Sequence, residues 1–272
     1  MTDFWDSIFN FAEAITAQVG AQLLADFGQV VAEEKADGSL VTQADLKSDR
    51  TIREAIAATF PEHGILAEES SQTFPDNKWC WIVDPLDGTT NFSRGIPLWG
   101  ISLALLYQGV PVFGFVRFPP IGQTFHGFWL GESGLGGLTE AFLNGQPIRP
   151  SLDAPSGNHF FSFCSRSLPA IEHPFPCKIR MMGVATYNLL TVAAGIALGA
   201  VEATPKVWDT AAVWAIIKAS GGVWIDLGQT SPFPLQIGRD YRRESFPCLV
   251  VSRSELESVF LPIVRSVSSS KS

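Results

Sequence analysis

Apolar residues recur at helical spacing over the first 29 positions, with Phe4, Ile8, Ile15, Val19 and Leu23 on one side and Asp3, Asp6 and Glu13 between them. This pattern predicts an amphipathic helix ending near Gly28. A second helix is expected in "SLVTQADLKSDRTIREAIAATF", capped by Thr42, burying Leu46, Ile52 and Ile56, and stopped by Pro61. The period then falls to two. "GILAEE" and "KWCWIVD" read as strands, "ISLALLYQGVPVFGFV" as a buried hairpin, and "TFHGFWLGE" runs on to "FLNGQPIRP", where Asn144-Gly145 marks another hairpin turn.

After Pro150 the pattern changes again. Strand "FFSFC", helix "VATYNLLTVAAG", strand "GAVEATP", helix "DTAAVWAIIKAS" and strand "GVWIDL" alternate, as expected of strands covered by helices. The expected organisation is an N-terminal α+β half over 1–149, a C-terminal α/β half over 150–265, and a disordered tail over 266–272, where "SVSSSKS" offers no apolar anchor.

Composition narrows the classes. The chain has 272 residues, 46% hydrophobic and 17% charged, enough for one large core or two joined ones. A net charge of −8 with only 19 Lys and Arg argues against a nucleic-acid face. Residues 96 to 116 carry no charge, but Gly109 and Pro111 interrupt them, so a hairpin is expected and not a membrane span. The acidic first helix lacks the positive flank of a signal peptide, and a cytoplasmic location is expected. Cys80, Cys164, Cys177 and Cys248 are scattered without a C-x-x-C spacing and read as reduced thiols. His63, His126, His159 and His173 are equally dispersed and define no His-led dyad.

The chemistry-bearing stretch is "WIVDPLDGTTNF", residues 81 to 92. A buried strand leads into Pro85 and Gly88, a turn that brings Asp84 and Asp87 together. Two carboxylates so close repel, and water or a cation must compensate. Asp-Gly-Thr-Thr can also open a short helix whose amides, at Gly88 and Thr89, point at an anion. Cation and phosphate would fit side by side. Further acids end other elements: Asp45, Glu68, Glu69 and Asp209. Each has a plain structural explanation, since Asp45 completes a capping box with Thr42, Asp209 complements a helix dipole and the Glu pair can face water. An all-oxygen set without His or Cys points to a hard ion, Mg²⁺ before Mn²⁺ or Ca²⁺.

With these blocks in order, "AEES", "DPLDGTTNF" and "WDTAA", flanked by "LVTQAD" and "GVATYNL", the chain resembles the inositol monophosphatase family of Mg²⁺-dependent, lithium-sensitive sugar phosphatases over nearly its whole length. The resemblance implies a layered αβαβα sandwich, an α/β (α+β) fold with the site between the halves, and a homodimer, for which Trp99 and Phe125 are among the surface-capable aromatics. It implies two or three Mg²⁺ ions, with Mn²⁺ able to substitute and Li⁺ as inhibitor. Glu68, Asp84 and the Leu86 carbonyl would hold one ion, Asp84, Asp87 and Asp209 the second, and Glu68 would help with a third. Gly88 and Thr89 would receive the phosphate, and Thr89 paired with Asp45 would help deprotonate the attacking water, with Glu68 also in the catalytic set.

Glu202, seven residues before Asp209, would accept a hydrogen bond from the polyol, with Ala185 and Asp209 also at the substrate. A small phosphorylated polyol or sugar is the implied partner, inositol 1-phosphate first. Fructose 1,6-bisphosphate, histidinol phosphate and 3′-phosphoadenosine 5′-phosphate are alternatives, as is a catalytically silent metal-binding relative. Two departures stand out: Ala67 replaces the usual Gly, and Val184 the usual Ser or Thr after Gly183.

Overall fold

The structure, a computed structural model, describes residues 2–35, 38, 40–131, 133–170 and 174–264. The expected disordered tail at 266–272, and His173, lie outside the described residues. In chain order the elements are α1 (Thr2–Asp26), β1 (Glu33–Glu34), β2 (Leu40–Val41), α2 (Gln43–Thr59), β3 (Gly64–Ala67), β4 (Trp79–Asp87), α3 (Thr89–Ser93), β5 (Gly100–Tyr107), β6 (Val110–Phe118), β7 (Gln123–Phe128), β8 (Glu140–Leu143) and β9 (Gln146–Pro147). There follow β10 (Phe160–Phe163), β11 (Lys178–Arg180), α4 (Ala185–Ala193), β12 (Ala197–Glu202), α5 (Val207–Ser220), β13 (Val223–Asp226), β14 (Cys248–Val251) and α6 (Glu257–Val264). Strands β3 to β9 form one seven-stranded sheet in sequence order, and a five-stranded sheet runs β11-β10-β12-β14-β13.

Side-chain alternation on the strands sets the layers. On β4, Trp81 and Val83 pack with Ile8, Ile15, Val19 and Leu23 of α1 and Ile52 and Ile56 of α2. Cys80 and Ile82 point the other way, into a cluster with Leu189 and Val192 of α4 and Ala212 and Ile216 of α5. That cluster continues to Ala200 and Val250 of the second sheet. The opposite face of that sheet, through Phe161, Phe163, Leu249 and Val251, packs on Phe260 and Val264 of α6. The order is helices, sheet, helices, sheet, helix: the expected αβαβα sandwich. Each fully buried Leu, Ile, Val or Phe contributes about 1.5–3 kcal/mol, so the central α4/α5 layer, apolar on both sides, binds the two sheets together.

Gly114 shows how closely that layer sits. A Cβ there would come within 2.1 Å of the Ala212 carbonyl oxygen, so α5 rests on the sheet backbone itself. Both expected tight turns are present, with Gln108–Gly109 and Asn144–Gly145 at positive φ as two-residue hairpin turns require.

Three expectations need correction. Leu46 is 40% exposed and does not belong to the buried face of α2. That face runs through Asp45, Asp49, Ile52 and Ile56, where two of the four positions are carboxylates, so apolar periodicity alone misplaced it. Trp99 and Phe125 are fully buried and cannot supply a dimer surface. Strand β4 continues through Pro85 to Asp87, where a turn was expected. Strands β11 and β14 and helix α6 were not anticipated; each is short or lies next to breaker-rich segments. No helix among the described residues is long and apolar enough to cross a membrane.

Candidate active site

The motif Asp84-Pro85-Leu86-Asp87 works through a bulge. In a regular strand, residues three apart face opposite sides. Here Asp84 pairs with Ser102 and Asp87 with Gly100, so three steps along β4 oppose two along β5. Because Ser102 and Gly100 share a face, the extra residue brings Asp84 and Asp87 onto one face as well. Pro85, which cannot donate to a ladder, sits in the irregular segment where no donor is needed.

Gly88 then ends the strand in the left-handed region, at φ 92°, and caps α3. A Cβ at Gly88 would also meet Val184 Cγ2 at 2.8 Å. Glycine is therefore demanded by both backbone and space. The first-turn amides of α3 have no intrahelical acceptor, and Gly88, Thr89 and Thr90 line a cleft of about 550 Å³.

Asp209 enters from the other half. It lies in the first turn of α5, where its Oδ2 accepts from the Lys206 N–H at 2.6 Å, so the helix-terminal role and a place in the cleft coexist. One carboxylate oxygen from each of Asp84, Asp87 and Asp209 lies within 4.8 Å of the others. Asp84 and Asp87 are buried and Asp209 half-buried. At such separations each ionised pair costs about 3–4 kcal/mol at an effective dielectric near 20.

The titration of the group follows. Burial, then repulsion from Glu68, Asp87 and Asp209, holds the Asp84 carboxyl well above the usual range. Burial, then Asp87 and Glu68, does the same to Asp209. Asp87 is also raised by burial, offset by hydrogen bonds from Thr186. Asp84 Oδ1 accepts from the Leu86 N–H at 3.0 Å, but its Oδ2 is buried and meets no donor among the described residues. A buried carboxylate oxygen without a donor, in an all-oxygen cluster of three acids, fits a hard divalent cation.

Glu68 follows β3, whose ladder extends through its N–H to the Val83 carbonyl at 3.1 Å, and its carboxylate lines the same cleft. Burial pushes its pKa up to about 7, against the pull of Lys35. Lys35 Nζ lies 3.1 Å from Glu68 Oε1 and 2.6 Å from Glu69 Oε1. Burial opposes the lysine's charge, but the two carboxylates outweigh it and raise its pKa. No sequence signal pointed to Lys35, since it lies 33 residues from Glu68.

Asp45 stands behind the cleft wall. The expected capping box is formed, with Thr42 N–H donating to Asp45 Oδ2 at 2.8 Å and Thr42 Oγ1 at 2.5 Å. Its other oxygen, Oδ1, accepts from Thr89 Oγ1 at 3.0 Å, and that hydroxyl is also 3.1 Å from the Leu86 carbonyl. Cap and partner to Thr89 are thus one side chain. Burial raises the Asp45 pKa, offset by the two threonines.

Glu202, at the end of β12, is only 4% exposed, so the alternative of a solvated strand-end carboxylate does not hold. Asn188 Nδ2 donates to its Oε1 at 2.7 Å, and burial lifts its pKa to about 8. Glu202 and Ala185, the first residue of α4, both line the cleft. Of the expected site residues all but Asp45 do so. Of the two departures, Ala67 lies in extended strand, where a Cβ is at home, and Val184 is buried. Thr186 and Asn188, inside "GVATYNL", touch Asp87 and Glu202 and were not singled out from the sequence.

A layered α/β sandwich with a carboxylate cluster at the mouth of a short amide-lined helix is the layout of a hydrolase for phosphate monoesters. The chain belongs to the inositol monophosphatase family, whose model matches residues 5–268. It is 34% identical to an inositol-1-monophosphatase of Synechocystis over 241 residues, 84% of this chain and 80% of that protein. It is 33% identical to a histidinol-phosphatase of Chlorobaculum parvum over 200 residues, 71% of this chain and 74% of that one. Among solved structures, a Thermotoga maritima IMPase superposes with a TM-score of 0.78 at 28% identity, covering 95% of this chain and 97% of that one.

Proposed function

We propose that the chain is a Mg²⁺-dependent phosphatase of small polyol phosphates, with inositol 1-phosphate the preferred substrate. The observation that carries this reading is the convergence of Asp84, Asp87 and Asp209 to within 4.8 Å beside the amide-lined start of α3. Asp84, Asp87, Asp209, Glu68 and the Leu86 carbonyl would hold the metal ions, and Glu68 can turn to them because, among the described residues, only Lys35 competes for its carboxylate. Bound Mg²⁺ supplies positive charge against the phosphate oxygens and makes the attacking water more acidic.

The chain's own groups do the rest. The amides of Gly88 and Thr89 orient the phosphate at the cleft wall. Thr89 Oγ1 accepts the proton of the attacking water as it passes its own to Asp45 Oδ1, which burial has made the better base. Thr42, through two hydrogen bonds to Oδ2, keeps Asp45 from turning away. Glu202, fixed by Asn188 across the cleft from the cluster, accepts from a hydroxyl of the alcohol, and the backbone at Ala185 completes the wall. No covalent intermediate is required, and Li⁺ would inhibit by competing at a carboxylate site.

A turnover panel of inositol 1-phosphate, fructose 1,6-bisphosphate, histidinol phosphate and 3′-phosphoadenosine 5′-phosphate with Mg²⁺ tests this. Inositol 1-phosphate should have the highest kcat/KM. Faster hydrolysis of histidinol phosphate, the substrate class in one relative's name, would move the substrate but keep the chemistry. No Mg²⁺-dependent release of phosphate from any of the four would overturn the reading.

A further inference from the structure

Thr186 is completely buried, yet it is polar, and both of its donors go to one atom. Its N–H donates to Asp87 Oδ2 at 2.9 Å and its Oγ1 to the same oxygen at 2.5 Å. The two residues lie 99 positions apart, one on the bulged strand of the first sheet and the other in the first turn of the helix that opens the central layer. Asp87 thus accepts hydrogen bonds from the start of a helix that is not its own. Val184, the residue at that helix's cap position, has a side chain that donates and accepts nothing.

From this geometry we infer that Thr186 is a positioning residue for the metal site: its hydroxyl and amide engage Oδ2 of Asp87 and so turn the other carboxylate oxygen toward Asp84 and Asp209. The inference rests on the Mg²⁺ reading proposed above. A carboxylate has a soft terminal torsion, and repulsion from its neighbours would rotate an untethered Asp87 away from the cluster. The two Thr186 donors on one oxygen, beside a further hydrogen bond to Asp87 from the Ala185 N–H, oppose that rotation, and Thr186 itself is shielded from solvent. The same residue follows Ala185 at the cleft wall, so the tie also holds the start of α4 against the motif turn. A second bridge runs alongside: Asn91 Nδ2 donates to the Leu98 carbonyl in the first half and to the Met182 carbonyl in the second, each at 2.9 Å.

The test uses Thr186→Val, which keeps shape and backbone N–H but lacks the hydroxyl, and Thr186→Ser, which keeps the hydroxyl on a smaller side chain. Mg²⁺ affinity is measured by titration calorimetry of the full chain without substrate, beside kcat and KM at saturating Mg²⁺. Groups that orient metal ligands typically change affinity by about 10- to 100-fold when lost. Thr186→Val should weaken Mg²⁺ binding by about that factor, and Thr186→Ser should restore most of it. If Thr186→Val does not fold, Thr186→Ala against Thr186→Ser gives the same contrast. Equal Mg²⁺ affinity in the hydroxyl-free variant and the parent would overturn the inference, as would equal weakening in Thr186→Ser. Absence of Mg²⁺ binding by the parent itself would instead overturn the function reading on which it stands.

Discussion

The two halves of the cleft obtain their acids by different means. The first half places Asp84 and Asp87 on a bulged strand next to the edge of a sheet, where pairing with Ser102 before the bulge and Gly100 after it fixes both. The second half places Glu202 at a strand end and Asp209 in a helix's first turn, Glu202 held by hydrogen bonds with Asn188 and Cys164 and Asp209 by the Lys206 N–H. A bulge is rigid because moving it would shift register along the whole strand. A helix terminus can be repositioned by moving the helix. The first half is therefore suited to defining the reacting centre, and the second to adjusting what is brought to it.

The largest effect expected from this contrast is at Asp87. Asp87→Asn removes a charge but keeps volume and an acceptor for Thr186, so the fold should persist while Mg²⁺-dependent phosphatase activity is abolished. Far-UV circular dichroism and phosphate release at saturating Mg²⁺ check both parts. Near-normal turnover would mean that the bulge serves only the sheet.

Next in size is the Thr89 and Asp45 pair, which joins the motif helix to α2 within the first half. Thr89→Ala and Asp45→Asn should each lower kcat by about 10²- to 10⁴-fold, the usual worth of a proton-transfer group, with little change in Mg²⁺ affinity. If the hydroxyl and carboxylate act as one relay, the double variant should be no worse than the worse single one. Additive losses in log kcat would separate them.

This contrast also explains what was legible in the sequence. The "DPLDGTTNF" block could be read because its geometry is local: bulge, left-handed glycine and helix start all lie within nine consecutive residues. The strands β4 to β7 and the helical spacing of α1 were equally plain, whereas the five-layer order was implied by the family resemblance and not by periodicity. What could not be read depends on distance in the chain. Lys35 reaches Glu68 from a two-stranded ribbon, Thr186 reaches Asp87 across 99 residues, and neither has a local pattern that marks it. Leu46 failed for a related reason: the face of α2 that turns inward is chosen partly by Asp45, whose reward comes from Thr89 and not from apolar burial. Trp99 and Phe125 were expected at the surface because composition cannot say which aromatics the helices cover: Trp99 packs in the α1/α2 cluster and Phe125 in the α4/α5 cluster.

A smaller and more selective effect is expected in the second half. Glu202→Gln keeps an acceptor for Asn188 but weakens the one offered to a ligand hydroxyl. Losing such a contact costs about 1–3 kcal/mol, or about 5- to 150-fold in kcat/KM. The loss should appear with inositol 1-phosphate and be nearly absent with a plain aryl phosphate that has no ring hydroxyl. Equal losses on both would assign Glu202 to the metal centre, erasing the division between the halves.

The smallest expected effect is on stability, and it draws on both halves at once. In metal-free protein Glu68 has its pKa raised to about 7 and Glu202 to about 8, chiefly by burial, and Asp84 and Asp209 are raised as well. In the unfolded chain these carboxyls ionise near pH 4 to 4.5, as is ordinary for Asp and Glu, roughly. Between those values the folded state binds more protons than the unfolded one, so stability falls as pH rises. His126, lowered to about 4 by burial, and His63, also lowered by burial, act in the opposite sense, but only below the ordinary histidine value of about 6.5. The clean window is therefore pH 6.5 to 8. There the melting temperature in chelator should fall with rising pH, Mg²⁺ should flatten the slope by stabilising the ionised acids, and Glu202→Gln should reduce it even without metal. A metal-free melting temperature that holds steady or climbs across that window would mean that the cluster stays ionised in the folded state, and the compensation now assigned to Mg²⁺ would have to come from the protein itself.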